Sequence, residues 1–307
     1  MTDSPDSRPR TLWFGNYTSI TPGVISSVTA RTSPDSAARP VIAKSPKPNS
    51  VQNDSRNPHP RFHCRDKDPW SEYEPRAHIF RGRQVTLAHH RINRQDIVNV
   101  QCLRMDRSKV PYLLETVDQL SHDSFPRLLG SYYKENQLFL VWEPLELSVE
   151  DIISAKWPTN QAELARIVGS VLEGIRFLRD KGRALATLGP ETILLNENGG
   201  VRVAGVEHSC QLHPSEMNAH TLKLTALAAV MSSLMAKSPG KGGWSREAQD
   251  FLQNLAVKPL DRLMHEPFLT EVAGEGDLKL CAHITNKIAD HDLKLYHLTG
   301  ISEDLGR

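Results

Sequence analysis

The sequence predicts an α+β fold, strands first and helices after, and three observations carry that reading. Residues 85–88 and 96–103 have strand character: Val85-Thr86-Leu87-Ala88 is short and apolar, and Ile97-Val98-Asn99-Val100-Gln101 alternates loosely, as a half-buried strand does. Leu164, Ile167, Val168, Val171, Leu172, Ile175 and Leu178 recur at three and four, which makes 161–178 a helix with one buried face. Residues 221–235 are nearly all small or apolar, as a helix central to a large core must be.

In chain order, residues 1–66 come first and differ in kind. They are rich in Ser, Pro, Thr, Asn and Arg, and bury too little apolar surface to offset the entropy of ordering, so disorder is expected. Leu12-Trp13-Phe14 interrupts that composition and reads as an incidental aromatic cluster before it reads as a docking motif. Ser4-Pro5, Ser33-Pro34 and Ser45-Pro46 would suit a proline-directed kinase, a pattern common in disordered chains. A polar turn, 89–95, joins the two strands. Residues 109–119 follow as a helix with Val110, Leu113, Leu114 and Val117 on one face. After the helices 161–178 and 221–235, residues 236–243 read as a short linker. Leu278, Leu280, Ile284, Ile288, Leu293, Leu295 and Leu298 predict one or two further helices packed on what precedes them.

Composition narrows the function classes. A chain of 307 residues holds one or two domains. With 37 Lys+Arg against 36 Asp+Glu, a formal charge of +1 predicts no nucleic-acid-binding surface. Cys64, Cys102, Cys210 and Cys281 lie far apart, without metal or redox spacing, and read as free thiols in a reducing compartment. His89-His90 suits a strand edge as well as a ligand pair. No apolar run approaches the roughly 20 residues that cross a bilayer. MTDSPDSRPR lacks the apolar core of a secretory signal, so a soluble cytoplasmic or nuclear protein without a membrane partner is expected.

The most informative run is 179–207, RDKGRALATLGPETILLNENGGVRVAGVE. Leu188, Pro190, Glu191, Ile193, Leu194, Leu195, Gly199-Gly200 and Val201-Arg202-Val203-Ala204 resemble the catalytic core of a serine/threonine protein kinase, which reads close to HRDLKPENILL and then a strand ending in DFG. Upstream, DSFPRLLGSYY (123–133) resembles the strand after kinase helix C, QLFLVWEPL (137–145) the strand entering the hinge, and 148–153 the short helix beyond it. Residues 161–178 resemble the long central helix of the large lobe, and 244–252 and 266–269 the closing helices. Specificity comes from the order and spacing of these pieces over residues 75–270. The resemblance implies a two-lobed, protein kinase-like α+β fold: a β-rich small lobe with one helix (about 75–143), a mainly helical large lobe (about 146–270) and a shortened activation segment. With the composition of 1–66 and the apolar residues after 270, the expected domains are 1–66 disordered, 67–270 kinase-like and 271–307 a helical extension.

The same resemblance implies that the reactive positions are degenerate. The catalytic-loop aspartate aligns with Thr187, its histidine with Leu185, its lysine with Gly189 and the metal-binding asparagine with Thr192; GVE stands for DFG, so Gly205 replaces the metal-binding aspartate. Val98-Asn99-Val100-Gln101 resembles VAIK, with Gln101 for the phosphate-gripping lysine. Uncharged glutamine attracts phosphate far more weakly. The helix C glutamate falls on Leu113, with Glu115 facing elsewhere. The phosphate-covering loop, Phe80-Arg81-Gly82-Arg83-Gln84, keeps one glycine, and its two arginines read as solvated before they read as anion ligands. Trp142 takes the gatekeeper position and narrows the adenine site. Gly82, Gln101, Trp142, Glu143, Leu145 and Leu194 form the vestigial nucleotide pocket. Gly205 to Lys223 is about 18 residues, where a kinase spends more than twice that, and no APE-like sequence follows. Lys258-Pro259-Leu260-Asp261-Arg262 resembles DPxxR, with Arg262 lacking its usual partner, and Lys223 stands where an aspartate opens the next helix.

The expectation is a pseudokinase: no intact catalytic residue, no metal site, Mg-ATP binding weak or absent, and a role as a scaffold or regulatory module for a protein partner that the sequence does not name. The alternative is a divergent ATP-dependent serine/threonine kinase using relocated acids, Glu191, Glu197 or Glu207. A decayed gene product without a stable fold is the third reading, and the preserved apolar periodicity argues against it.

Overall fold

The computed structural model describes residues 63–80, 82–155, 157–237, 243–270 and 275–294. Leu12-Trp13-Phe14, the Ser-Pro sites, Arg81, Leu295 and Leu298, and most of segments 1–66 and 236–243, lie outside the described residues.

A six-stranded sheet comes first, in the order β1-β5-β6-β4-β3-β2: Cys64–Arg65 (β1), Tyr73–Phe80 (β2), Gln84–His90 (β3), Ile97–Arg104 (β4), Leu128–Lys134 (β5) and Gln137–Trp142 (β6). All pairings are antiparallel except β1 with β5. The middle of the sheet reads as continuous apolar sequence because both its faces are covered. From β6, Leu138, Leu140 and Trp142 enter the main core with helix α1 (Val110–Gln119), whereas Phe139 and Val141 pack with Tyr132, Val98 and Val100 and the half-buried rings of Trp70 and Tyr73. The two-residue period of β4 therefore sends Val98 and Val100 to the second face, and Asn99 and Gln101 to the same side as Leu140 and Trp142.

Two parts of this lobe were not read from the sequence. β2 (YEPRAHIF) buries only Ala77 and Ile79 and is held by its full-length pairing with β3. β1 falls inside the segment expected to be disordered. Its polar neighbours are tied down by ion pairs that composition does not reveal: Arg65 and Lys67 with Glu72, Arg107 with Asp66, and Lys134 with Asp68.

The second lobe is mainly helical. Two short antiparallel pieces carry its loops: β7 (Leu147–Ser148) with β9 (Ile193–Leu195) and β10 (Val201–Val203), and β8 (Arg183–Ala184) with β11 (Cys210–Gln211). Ser148 and Asp151 form a capping box that starts α2 (Val149–Ser154), and Asn160 with Glu163 starts α3 (Gln161–Asp180) the same way. Leu164, Ile167, Val168, Val171, Leu172, Ile175 and Leu178 are all buried on α3. Helix α4 (Leu224–Lys237) packs against α3; α5 (Arg246–Asn254) and α6 (Leu260–Leu263) follow, with the Phe251 and Phe268 rings 4.8 Å apart. The extension is one helix, α7 (Glu275–Lys294), packed on α2 and β7 and burying Leu278, Cys281 and Ala282. No helix among the described residues is long and apolar enough to cross a membrane, and no group of three or more His, Cys, Asp or Glu there could hold a metal ion.

Candidate functional site

Where the sheet meets the helical lobe, four side chains converge from distant parts of the chain. The β2–β3 turn contributes Arg83, β4 contributes Gln101, the end of β6 contributes Trp142, and the turn after β10 contributes Glu207. Glu207 Oε1 receives two donors: Arg83 Nη1 at 2.5 Å and Gln101 Nε2 at 2.9 Å. The far end of the Gln101 amide is also engaged, its Oε1 accepting from Trp142 Nε1 at 3.0 Å. The Arg83 guanidinium lies over the Trp142 ring, 4.4 Å from its centroid. Gln101 and Trp142 are buried, and the side chains of Glu207 and Arg83 are 0% and 10% exposed.

A carboxylate so deeply buried would resist ionisation. The Arg83 charge and hydrogen bond, with a backbone contact and the Gln101 amide, outweigh that penalty and hold Glu207 below the usual carboxylate range. Glu207 Oε2 and Asn99 Oδ1 are buried with no hydrogen-bond partner among the described residues.

The turn carrying Arg83 is pressed against the loop below it. Gly82 has φ +66°, and a Cβ there would come within 2.8 Å of Thr192 Cα and 3.1 Å of the Glu191 carbonyl. The Thr192 hydroxyl is turned into its own loop: it accepts from the Gly189 N–H and donates to the Gly189 carbonyl, both at 2.9 Å. The Glu191 carboxylate folds over Gly189, where a Cβ would collide with Glu191 Oε2. Thr187 is exposed and Leu185 buried. Gly205 has φ +98°, with open space where a side chain would stand.

The remaining pocket residues divide. Leu145 and Leu194 form a small apolar cluster with Ala204. Glu143 is directed elsewhere: its carboxylate accepts from the Arg127 N–H at 3.1 Å and pairs with Arg202 Nε at 3.2 Å. On α1, Leu113 is half-buried, and exposed Glu115 accepts from Gln119 on its own helix. Of the candidate relocated acids, Glu197 is exposed and Glu207 is committed to Arg83.

One expectation is corrected. Arg83 is not a solvated hairpin arginine; it is half of a buried ion pair, because Glu207, from the turn after β10, gives it a counter-charge. Two signals for that pairing stand in the sequence. An acid occupies a motif position where kinases carry glycine, and the cation expected at Gln101 is missing. Neither places the two ends of a contact 124 residues apart.

Among known proteins, no family model matches the chain. Over 165 residues it is 26% identical to the phosphorylase b kinase gamma catalytic chain, liver/testis isoform, of Bos taurus, which covers 49% of this chain and 41% of that one. It is 36% identical over 87 residues to the serine/threonine-protein kinase Tao of Drosophila melanogaster, covering 28% of this chain and 8% of the relative. It is 21% identical over 249 residues to the serine/threonine-protein kinase CST20 of Candida albicans, covering 76% and 19%. The chain thus matches less than half the length of each of these relatives.

Proposed function

From a chain that belongs to the protein kinase-like superfamily and has serine/threonine protein kinases as its homologues, we propose a member that transfers no phosphate: a pseudokinase domain that serves as a binding or regulatory module for a protein partner inside the cell. The observation that carries this reading is the Arg83–Glu207–Gln101–Trp142 network. Phosphoryl transfer needs cations at the phosphates and acids at the metals. The position aligned with the strand lysine holds a neutral amide already bonded at both ends. Beside it, the Arg83 cation is engaged by the buried Glu207 carboxylate and is not free to meet phosphate. Gly82 rests on Thr192, so a nucleotide would have to lift the turn and break the buried ion pair.

The test is a melting curve of the full chain with Mg-ATP, beside a phosphate-transfer assay. A ligand at 100 times its dissociation constant stabilises a fold by about 2.7 kcal/mol. In a domain of this size that raises the melting temperature by roughly 5–10 °C. The expected results are no resolvable rise with millimolar Mg-ATP and no transfer to generic protein substrates. Magnesium-dependent stabilisation would remove the nucleotide-free part of the reading. Transfer that Glu207→Gln abolishes in a variant shown by its melting curve to remain folded would establish an enzyme with a relocated acid.

A further inference from the structure

Both side-chain donors that reach Glu207 converge on the same oxygen, which leaves Oε2 buried and without a hydrogen-bond partner among the described residues. Directly beside this carboxylate, the face of Trp142 carries a planar cation at 4.4 Å. The Trp142 N–H fixes the Gln101 amide, and the amide in turn holds the carboxylate. Asn99 Oδ1, a second buried acceptor without a partner among the described residues, stands two residues before Gln101 on the same side of β4.

An aromatic face, a buried carboxylate with a spare lone pair and an orienting amide are the parts of a receptor for a flat, delocalised cation. A guanidinium stacks on indole and can give two parallel N–H bonds to a carboxylate. An ammonium is a point charge, more strongly hydrated, and lacks the plane that stacks.

We infer that this cleft is a guanidinium-binding site, filled by Arg83 from the same chain, and that a chain without the Arg83 side chain takes an alkylguanidinium from solution in its place. The inference rests on the reading of the cleft as closed to nucleotide, and it names the ligand chemistry that replaced phosphate there. Arg83, tethered to the β2–β3 turn, engages one oxygen of the carboxylate. A free ligand is not so tethered and can engage Oε2 as well. In the intact chain Arg83 is present at a high effective concentration, so millimolar free ligand does not displace it.

The experiment uses the full-length chain in three forms: wild type, Arg83→Ala, and Arg83→Ala/Glu207→Gln. Each is melted against n-propylguanidinium and, separately, n-propylammonium at matched ionic strength. Removing Arg83 leaves Glu207 buried and unpaired, which lowers the melting temperature by about 6–20 °C. Propylguanidinium should restore a saturable part of that loss, on the order of 5 °C at ligand well above its dissociation constant. Wild type and the double variant should show no saturable rise, and propylammonium should restore less. The double variant also measures any denaturing effect of the ligand. No recovery in Arg83→Ala, equal recovery in the double variant, or equal recovery with propylammonium each overturns the inference. If Arg83→Ala is obtained only unfolded, refolding it with and without propylguanidinium is the readout, and no gain in folded yield also overturns it. Failure here with wild type still inert to Mg-ATP removes the guanidinium site alone. Mg-ATP binding by wild type removes the closed-cleft reading whatever the variants do.

Discussion

Gly82 and Thr192 touch backbone to backbone across the two lobes: a Cβ on Gly82 would lie 2.8 Å from Thr192 Cα, closer than real Cβ atoms come. The contact requires a residue without a side chain, and φ +66° requires one free to adopt the left-handed region. Gly82→Ala therefore incurs both a conformational cost of about 1–2 kcal/mol and a clash with main chain that cannot swing aside. Gly205→Ala, at φ +98° with open space around it, incurs the conformational cost alone. Denaturant titration should rank Gly82→Ala as the more destabilising of the two. Equal effects would mean that the turn does not rest on Thr192.

Leu172 lies mid-face on α3 and is 0% exposed. Truncation there removes buried methyl groups and leaves a cavity, so Leu172→Ala should cost about 2–5 kcal/mol. A change below about 0.5 kcal/mol, the range of surface substitutions, would put Leu172 outside the core.

Glu207 predicts a pH dependence of definite sign. Burial pushes its carboxyl up, but the Arg83 charge and hydrogen bond more than offset that and hold it below the usual range, so its contribution is complete above the unfolded carboxylate range and is lost as pH falls through the lower folded value. A guanidinium stays charged throughout, and His208 Nε2 stands 3.7 Å from Oε1. At neutral pH, Glu207→Gln should destabilise by about 3–5 kcal/mol, because Arg83 is left buried without its counter-charge. The gap between wild type and variant should narrow only below about pH 4.3, the ordinary glutamate value. A gap already closing near pH 6 would contradict the assignment.

The cysteines should separate by reactivity. Cys281 is buried on α7, and burial, with the nearby Glu163 charge, pushes its thiol up to about 12. Cys210 is exposed. Alkylation of the native chain followed by mass spectrometry should label Cys210 promptly and Cys281 only on unfolding. Prompt labelling of Cys281 would mean that α7 is not docked on α2 and β7.

What the sequence disclosed tracks how local each signal is. The α3 stripe repeats every turn, and every residue predicted for its buried face is buried, with Glu163, Ala165 and Gly174 beside them. The small lobe was legible where a strand carried its own apolar residues, as in β3 and β4. It was illegible in β2, whose Tyr73, Glu74, Pro75 and Arg76 have no apolar pattern and become a strand only because β3 lies alongside. The predicted helix start at 221 is displaced to Leu224, where Lys223 turns through φ +64°. In the cleft, individual replacements such as Gln101 and Gly205 could be read one position at a time. The pairing of Arg83 with Glu207 could not, since nothing local in either segment encodes a partner on the other lobe.

The short strand β1 governs more than its two residues suggest. It occupies the outer edge of β5, anchored where Arg65 and Lys67 reach Glu72 and Arg107 reaches Asp66. An uncovered edge strand is a template for pairing with another molecule. A chain shortened to begin at residue 73 would leave that edge bare, and light scattering should show it self-associating while the full-length protein does not. Unchanged scattering from the shortened chain would show that β1 does not shield this edge.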